Sequence, residues 1–452
     1  MTLYNRIQKR SAMLPVIFSL ALPTMLEQLM HTAVQYIDIA MVGSLGTSAT
    51  AAVGSTTTIN WLISSTISAL AIGFLTFIAR AYGAGDNEEA AKVSSQAVFV
   101  TLITGIFFTL LTAFLSPFVP VWMQVDPSIR SLASTYFLII YLPMLPRTAT
   151  IIFGTALRAA GDTKTPMQVG IAVNVTNVVL NVILIPRFGV IGAGLASAIG
   201  FVLGGILITI CFFRHPVISP KGLRLLPNMS ILKPCLTVAF PNMLQRFGTS
   251  LGYVFFAAMI NSLGDVSTAA HTVANTVESA FYIPGYGMQT AAATLAGNAY
   301  GAGDREKMKA LGTTILWIEV ILMIISGGLL FVFAPTMVSI FAKDPAVITL
   351  GSFVLRMVAL SEPFYGVGII IEGILQGVGK TDVPLLFNIL GMWGIRIAGT
   401  YLCISQLGYG LISAWACMIA HNLLLFVMFL VYYKSDRWNP LSQKTAFFEK
   451  CA

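Results

Sequence analysis

Landmarks in the first half of this 452-residue chain recur 218 positions later with no gap between them. AYGAGD occupies Ala81 to Asp86 and again Ala299 to Asp304. The same shift carries Pro23 onto Pro241, Ser44-Leu45-Gly46 onto Ser262-Leu263-Gly264, and Asp126-Pro127 onto Asp344-Pro345. It also carries Leu157, Gly161, Thr163 and Pro166 onto Leu375, Gly379, Thr381 and Pro384. A module of about this length was duplicated, so whatever one half folds into, the other must fold into as well.

Both copies are strongly apolar: 56% of residues are hydrophobic and only 10% charged, where a soluble domain carries roughly 25% charge. A helix needs ~20 apolar residues to cross the hydrocarbon core. Twelve such stretches fit, at about 13–43, 50–79, 93–117, 129–156, 166–186, 190–213, 234–261, 268–297, 311–340, 346–374, 384–403 and 409–433. The expected fold is therefore an all-α integral membrane protein of twelve transmembrane helices in two six-helix lobes. An even number of spans per half makes the copies a parallel repeat, related by an axis along the membrane normal. The expected organisation is a lobe over 1–213, a linker over 214–233, a second lobe over 234–434 and a tail over 435–452. Two related apolar halves point to a transporter in which the lobes rock about a central path.

Of the 26 Lys and Arg, four fall within spans (Arg147, Arg246, Arg356, Arg396) and three on one side (Arg130, Arg187, Lys343), leaving nineteen on the other. The positive-inside rule places both termini in the cytoplasm, with the cell membrane as the location. The net charge of +8 is thereby explained by topology and calls for no nucleic acid. The first apolar run is too long for a signal-peptide core. The five cysteines are odd in number and scattered, which fits neither a disulfide framework nor a metal cluster.

AYGAGD lacks the Lys-Ser/Thr ending of a phosphate-binding loop and follows a membrane helix instead of a strand. It reads as a helix C-cap and turn, with glycine left-handed and Asp86 or Asp304 capping the next helix. His31, His215, His271 and His421 show no ligand spacing, and no nucleophile constellation is visible, so the chain is not expected to be an enzyme or to hold a cofactor.

Charges inside spans are costly and mark function. The acids are Glu27, Asp38, Glu278, Glu319, Glu362 and Glu372, the last near enough to a helix end to be solvated there. Asn174, Asn177 and Asn181 fall on one face of the fifth span. Their repeat counterparts are Met392, Ile395 and Gly399, and that of Asp38 is Phe256. One carboxylate with amide oxygens thus reads as a first-lobe feature, suited to a dehydrated cation; hydrogen bonding between helices is the plainer alternative. Glu278 aligns with Asn60 and Glu362 with Met144. Glu278, Glu362, Asn60 and Gln35 are the candidate substrate contacts, the acids attracting a cation or carrying a proton. The four in-span arginines either pair with carboxylates to lock helices or line a cavity for an anion. Pro23, Pro241, Pro284 and Pro363 are places where helices can bend.

Tyr36 to Gly43 (YIDIAMVG), the paired AYGAGD loops, LRAAGDTKTP at Leu157 to Pro166, LQGVGKTDVP at Leu375 to Pro384 and GAGLAS at Gly192 to Ser197 together resemble the multidrug and toxic compound extrusion (MATE) transporters, over essentially all of residues 11–434. These belong to the multidrug/oligosaccharidyl-lipid/polysaccharide exporter superfamily. The resemblance implies an antiporter, expected as a monomer, that exports amphipathic, often cationic compounds against H+ or Na+. It implies a coupling site at Asp38, Asn177 and Ser197; at the fourth position this chain has Asn181 where such members have Asp, which removes a charge and favours a proton. The acid that other members carry on span seven is replaced by the neutral surroundings of Thr249. The alternative within the superfamily is a lipid-linked oligosaccharide flippase, for which the in-span arginines would meet the pyrophosphate. A major-facilitator carrier would place a Gly-Asp-Arg-type loop where RAYGAGDNEEA stands.

Overall fold

Runs of apolar residues long enough to cross a bilayer must satisfy every backbone polar group internally, which leaves the helix as the economical solution. The computed structural model describes residues 13–123, 125–223 and 225–442, and no strand occurs among them. Twelve helical crossings appear among these residues, at the positions expected. The first six are Met13–Gly43, Thr47–Ala84, Asn87–Leu115, the pair Arg130–Tyr141 and Met144–Ala159, Lys164–Phe188 and Val190–Arg214. The second six are Met229–Asn261, the pair Asp265–Phe281 and Ile283–Gly301, Arg305–Phe341, the pair Pro345–Ala359 and Glu362–Val378, the run from Asp382 to Gln406, and Leu411–Lys434. Ten of these, counting each of two bent pairs as one, are long and apolar enough to span a membrane. In the seventh and eighth, the apolar character is diluted by Asn242, Gln245, Arg246 and Ser250 and by His271, Asn275, Glu278 and Ser279.

The duplication is legible in the backbone. Gly46 and Gly264 take φ of 107° and 92°, Gly85 and Gly303 of 76° and 73°, Gly161 and Gly379 of 83° and 84°. These conformations are cheap only for glycine. Asp86 Oδ1 accepts from the Glu89 amide and Asp304 Oδ1 from the Lys307 amide, each at 2.9 Å. The AYGAGD loops are caps, as read from their composition. At the other membrane face, Asp126 Oδ1 caps Ser128 and Asp344 Oδ1 caps Ala346.

Helix breaks agree only partly with the prolines. Spans eight and ten break beside Pro284 and Pro363, the latter with a bend of 55°. Pro23 and Pro241 lie inside unbroken helices. Span four is bent by 46° at Leu142–Pro143, a break that the proline count above omits. Span eleven contains π-helical turns at Leu390–Ile397 and Leu402–Gln406, which no sequence signal announced.

The chain divides into two compact units, residues 22–239 on one hand and residues up to 21 with 240–452 on the other, with the cuts inside the first and seventh helices. In the first unit the stretch after span six is pinned by Gln96, whose Nε2 donates to Leu226 O and whose Oε1 accepts from the Asn228 amide. His215 Nδ1 accepts from the Val217 and Ile218 amides. Burial holds this imidazole below its ordinary pKa, against the pull of the Asp162 carboxylate.

Candidate functional site

Glycines on span six let it press against its neighbours: a Cβ on Gly205 would collide with Pro146 of span four, and one on Gly200 would touch Val173 and Asn177 of span five. That close approach brings Ser197 to the asparagine face. In the first unit a continuous hydrogen-bond chain results. Asn181 Nδ2 donates to Asp38 Oδ1 at 2.6 Å and to Asn177 Oδ1 at 3.0 Å, and Asn177 Nδ2 donates to Ser197 Oγ at 3.2 Å. Asp38 is half-buried, whereas Asn177 and Asn181 are 6% and 1% exposed. The Asn181 Oδ1 is buried with no hydrogen-bond partner. Asn174 is half-buried and stands outside the chain. Tyr136, which the sequence reading did not single out, is buried on span four within electrostatic reach of Asp38.

Arg147 is held by neutral oxygens, donating from Nη2 to Asn60 Oδ1 at 2.6 Å and Ser64 Oγ at 2.7 Å, over the ring of Phe201. Asn60 Oδ1 thus serves as an acceptor for this arginine. Gln35 is exposed. Glu27 pairs with Arg158, 2.6 Å from its Nη2.

The second unit corrects two expectations. Glu372 is not solvated at a helix end. Its carboxylate accepts from Gln245 Nε2 at 3.0 Å, Gln376 Nε2 at 3.1 Å and Asn388 Nδ2 at 3.2 Å. A carboxylate among amides is thus not confined to the first lobe. The repeat counterparts of Asp38 and the span-five asparagines do not reveal it, because this cluster is built from other repeat positions, Gln245, Glu372, Gln376 and Asn388. Gln245 and Gln376 are the counterparts of Glu27 and Arg158: an ion pair in one unit is replaced by two amides on a third residue's carboxylate in the other.

The in-span arginines do not lock helices by pairing with carboxylates. Arg246 Nε donates to Asn242 Oδ1, and Arg356 is exposed, donating to Phe331 O. Arg396, 3% exposed, contacts Met418 Sδ at 2.8 Å and lies over Tyr253 and Phe256 at 4.7 and 4.4 Å. None of the four has a carboxylate within salt-bridge distance among the described residues. Phe256 stands where the first unit has Asp38, so the repeat position that offers a carboxylate in one unit offers an aromatic face to a cation in the other. Glu278 and Glu362 are 6% and 2% exposed, too enclosed for a substrate to touch in this conformation. Among the described residues, no group of three or more His, Cys, Asp or Glu is placed to hold a metal; the Asp38 cluster, with one acid, relies on amide and hydroxyl oxygens instead. Cys403 and Cys417, 14 residues apart on consecutive spans, face each other at 3.9 Å as free thiols.

The MatE family profile matches residues 23–183 and again 241–402, once per repeat. The chain belongs to the MatE family. Among similar proteins, a probable multidrug resistance protein NorM of Thermotoga maritima is 28% identical, covering 94% of this chain and 92% of that protein. Multidrug and toxin extrusion protein 2 of Mus musculus is 25% identical over 94% of this chain and 75% of its own length. Among solved structures, MATE in the bent conformation superposes with a TM-score of 0.90 at 22% identity, covering 99% of each chain. A MOP superfamily transporter from Pyrococcus furiosus gives 0.89 at 23% identity, covering 94% of this chain and 96% of its own. This MatE protein is therefore a multi-pass membrane transporter with the twelve-helix fold, and not an enzyme.

Proposed function

We propose that this MatE protein is a secondary antiporter of the cell membrane that exports amphipathic, cationic compounds in exchange for H+ or Na+. Support for drug export comes from the names of its relatives, and support for ion coupling from the Asp38–Asn181–Asn177–Ser197 chain. The carrying observation is the orphaned Asn181 Oδ1 beside Asp38. A buried acceptor without a donor is expensive, and a cation bound there would supply the missing partner next to the acid that Asn181 holds. A proton on Asp38 would instead neutralise the carboxylate and lower the cost of enclosing it. Either ion shifts the population between outward- and inward-facing states, so ion entry and drug release are thermodynamically linked. Weighing against the flippase reading, two of its four arginines, Arg147 and Arg396, are taken up by neutral oxygens, sulfur and aromatic rings. The test is Asp38→Asn in vesicles with an imposed ion gradient. The variant is expected to fold and to lose gradient-driven export of a fluorescent cation; undiminished efflux would overturn the coupling role.

A further inference from the structure

We propose that Glu319 and Glu362 form a proton-binding site inside the second unit, separate from the Asp38 cluster. Glu319 lies in the middle of span nine and is 0% exposed, and neither of its carboxyl oxygens has a hydrogen-bond partner. Its Oε1 occupies a notch between two glycines: a Cβ on Gly285 of span eight would come within 2.8 Å of it, and one on Gly366 of span ten within 3.0 Å. Met323 and Ile369 complete the wall. Glu362 begins the second segment of span ten, immediately after the 55° bend, and its Oε2 is likewise buried without a partner. It lies within electrostatic reach of Glu319 and Glu278.

The surroundings decide the ligand. An ionised carboxylate without donors in an apolar wall costs several kcal/mol, so each acid requires a positive partner or a proton. Within electrostatic reach of Glu362 lie Glu278 and Tyr282 of span eight and Glu319 of span nine, and Arg396 of span eleven reaches Glu278. Arg396 acts on Glu278, and among the described residues no cation pairs with Glu319 or Glu362; both carboxyl oxygens of Glu319 and the Oε2 of Glu362 have no hydrogen-bond partner. Among the described residues no group of three such acids is placed to hold a metal, and methionine, isoleucine and glycine bring no side-chain oxygen to one. A proton remains. The repeat counterparts are Thr101 and Met144, so the first unit has no such pair. Both acids line the junctions where spans eight and ten are broken. Loss of a proton would demand water or donors at those breaks and so favour a different bend. That last coupling rests on the antiport reading; proton binding does not.

The experiment follows the carboxylic-acid C=O band of the purified full-length protein by infrared difference spectroscopy across a pH titration. Wild type is expected to show a protonated carboxyl at neutral pH that disappears at alkaline pH. Glu319→Gln should lose that component and Asp38→Asn should retain it. An unchanged band in Glu319→Gln, or a band that no alkaline pH removes, would overturn the proposal. If Glu319→Gln does not fold, Glu362→Gln carries the same test at the partner acid. In vesicles transporting tetraphenylphosphonium, Glu319→Gln should move one proton fewer per cation than wild type, and an unaltered ratio would overturn the link to transport. Absence of proton-coupled transport in wild type would sink the antiport reading while leaving the infrared result to judge the site.

Discussion

Asn181 is the residue on which the choice of coupling ion turns. Its amide nitrogen bridges Asp38 and Asn177, and its oxygen is left buried and unpaired. Asn181→Asp replaces a donor by an acceptor and sets a second negative charge beside Asp38. Two carboxylates in contact cannot both stay charged without a cation between them. The variant is therefore expected to bind sodium at least tenfold more tightly than the parent, about 1.4 kcal/mol, read by calorimetry in detergent. Sodium affinity indifferent to this change would leave Asp38 as a simple proton carrier. The stripe itself was visible in the spacing of the asparagines, because side chains at i and i+4 share a helix face. The nearness of Tyr136 was not, since a tyrosine on span four looks like any apolar position until packing brings it within electrostatic reach of Asp38.

At the scale of elements, each unit ties the equivalents of its first and fourth spans together, by different chemistry. Glu27–Arg158 does so in the first unit and Gln245–Glu372–Gln376 in the second. Residues after the last span are tied down as well. Asp436 accepts from Arg305 at 2.9 Å and Lys309 at 2.8 Å, and from Ser442 Oγ at 2.6 Å. The Lys380 ammonium donates to Arg437 O, and Trp438 stacks on Tyr433 at 4.9 Å. Asp436 sits at φ 58°, a left-handed conformation that Asp tolerates better than most side chains. Burial alone would raise its carboxyl, but the bonds from Lys309, Ser442 and Arg305 outweigh that, and the pKa is lowered. With the folded value depressed, the carboxylate's contribution is complete above the ordinary aspartate pKa and is lost only as pH falls through the lower folded value. The latch should thus be indifferent to pH between roughly 5 and 8 and weaken with salt. Asp436→Asn is expected to speed hydrogen exchange and proteolysis at 435–442 severalfold, about 1 kcal/mol; protection equal to wild type would show that Trp438 alone holds the segment.

For the whole molecule, the basic asymmetry makes the strongest commitment. A reporter fused after Ala452 is expected to be active only on the cytoplasmic side, because nineteen Lys and Arg lie with the termini and Arg130, Arg187 and Lys343 opposite. Activity confined to the external face would reverse the orientation and the direction assigned to export. The even number of helices per repeat carries the same commitment into both halves. The two matches of the family profile start at 23 and 241, the 218-residue offset of the repeated landmarks.

Class, number of spans, parallel repeat and loop caps were all determined by the sequence itself. Each is a local or periodic property: apolar length is set by bilayer thickness, and left-handed turns demand glycine wherever they occur. What only the tertiary structure decided is which polar side chains meet. Glu372 with Gln245 and Asn388, Arg396 with Phe256, Cys403 with Cys417 and Glu319 in its notch between Gly285 and Gly366 all join residues on different helices. A helix's sequence states which residues share a face but leaves its rotation and crossing angle to its neighbours. The bends at 142–143 and 360–361 and the π-turns of span eleven then set which of those faces come together.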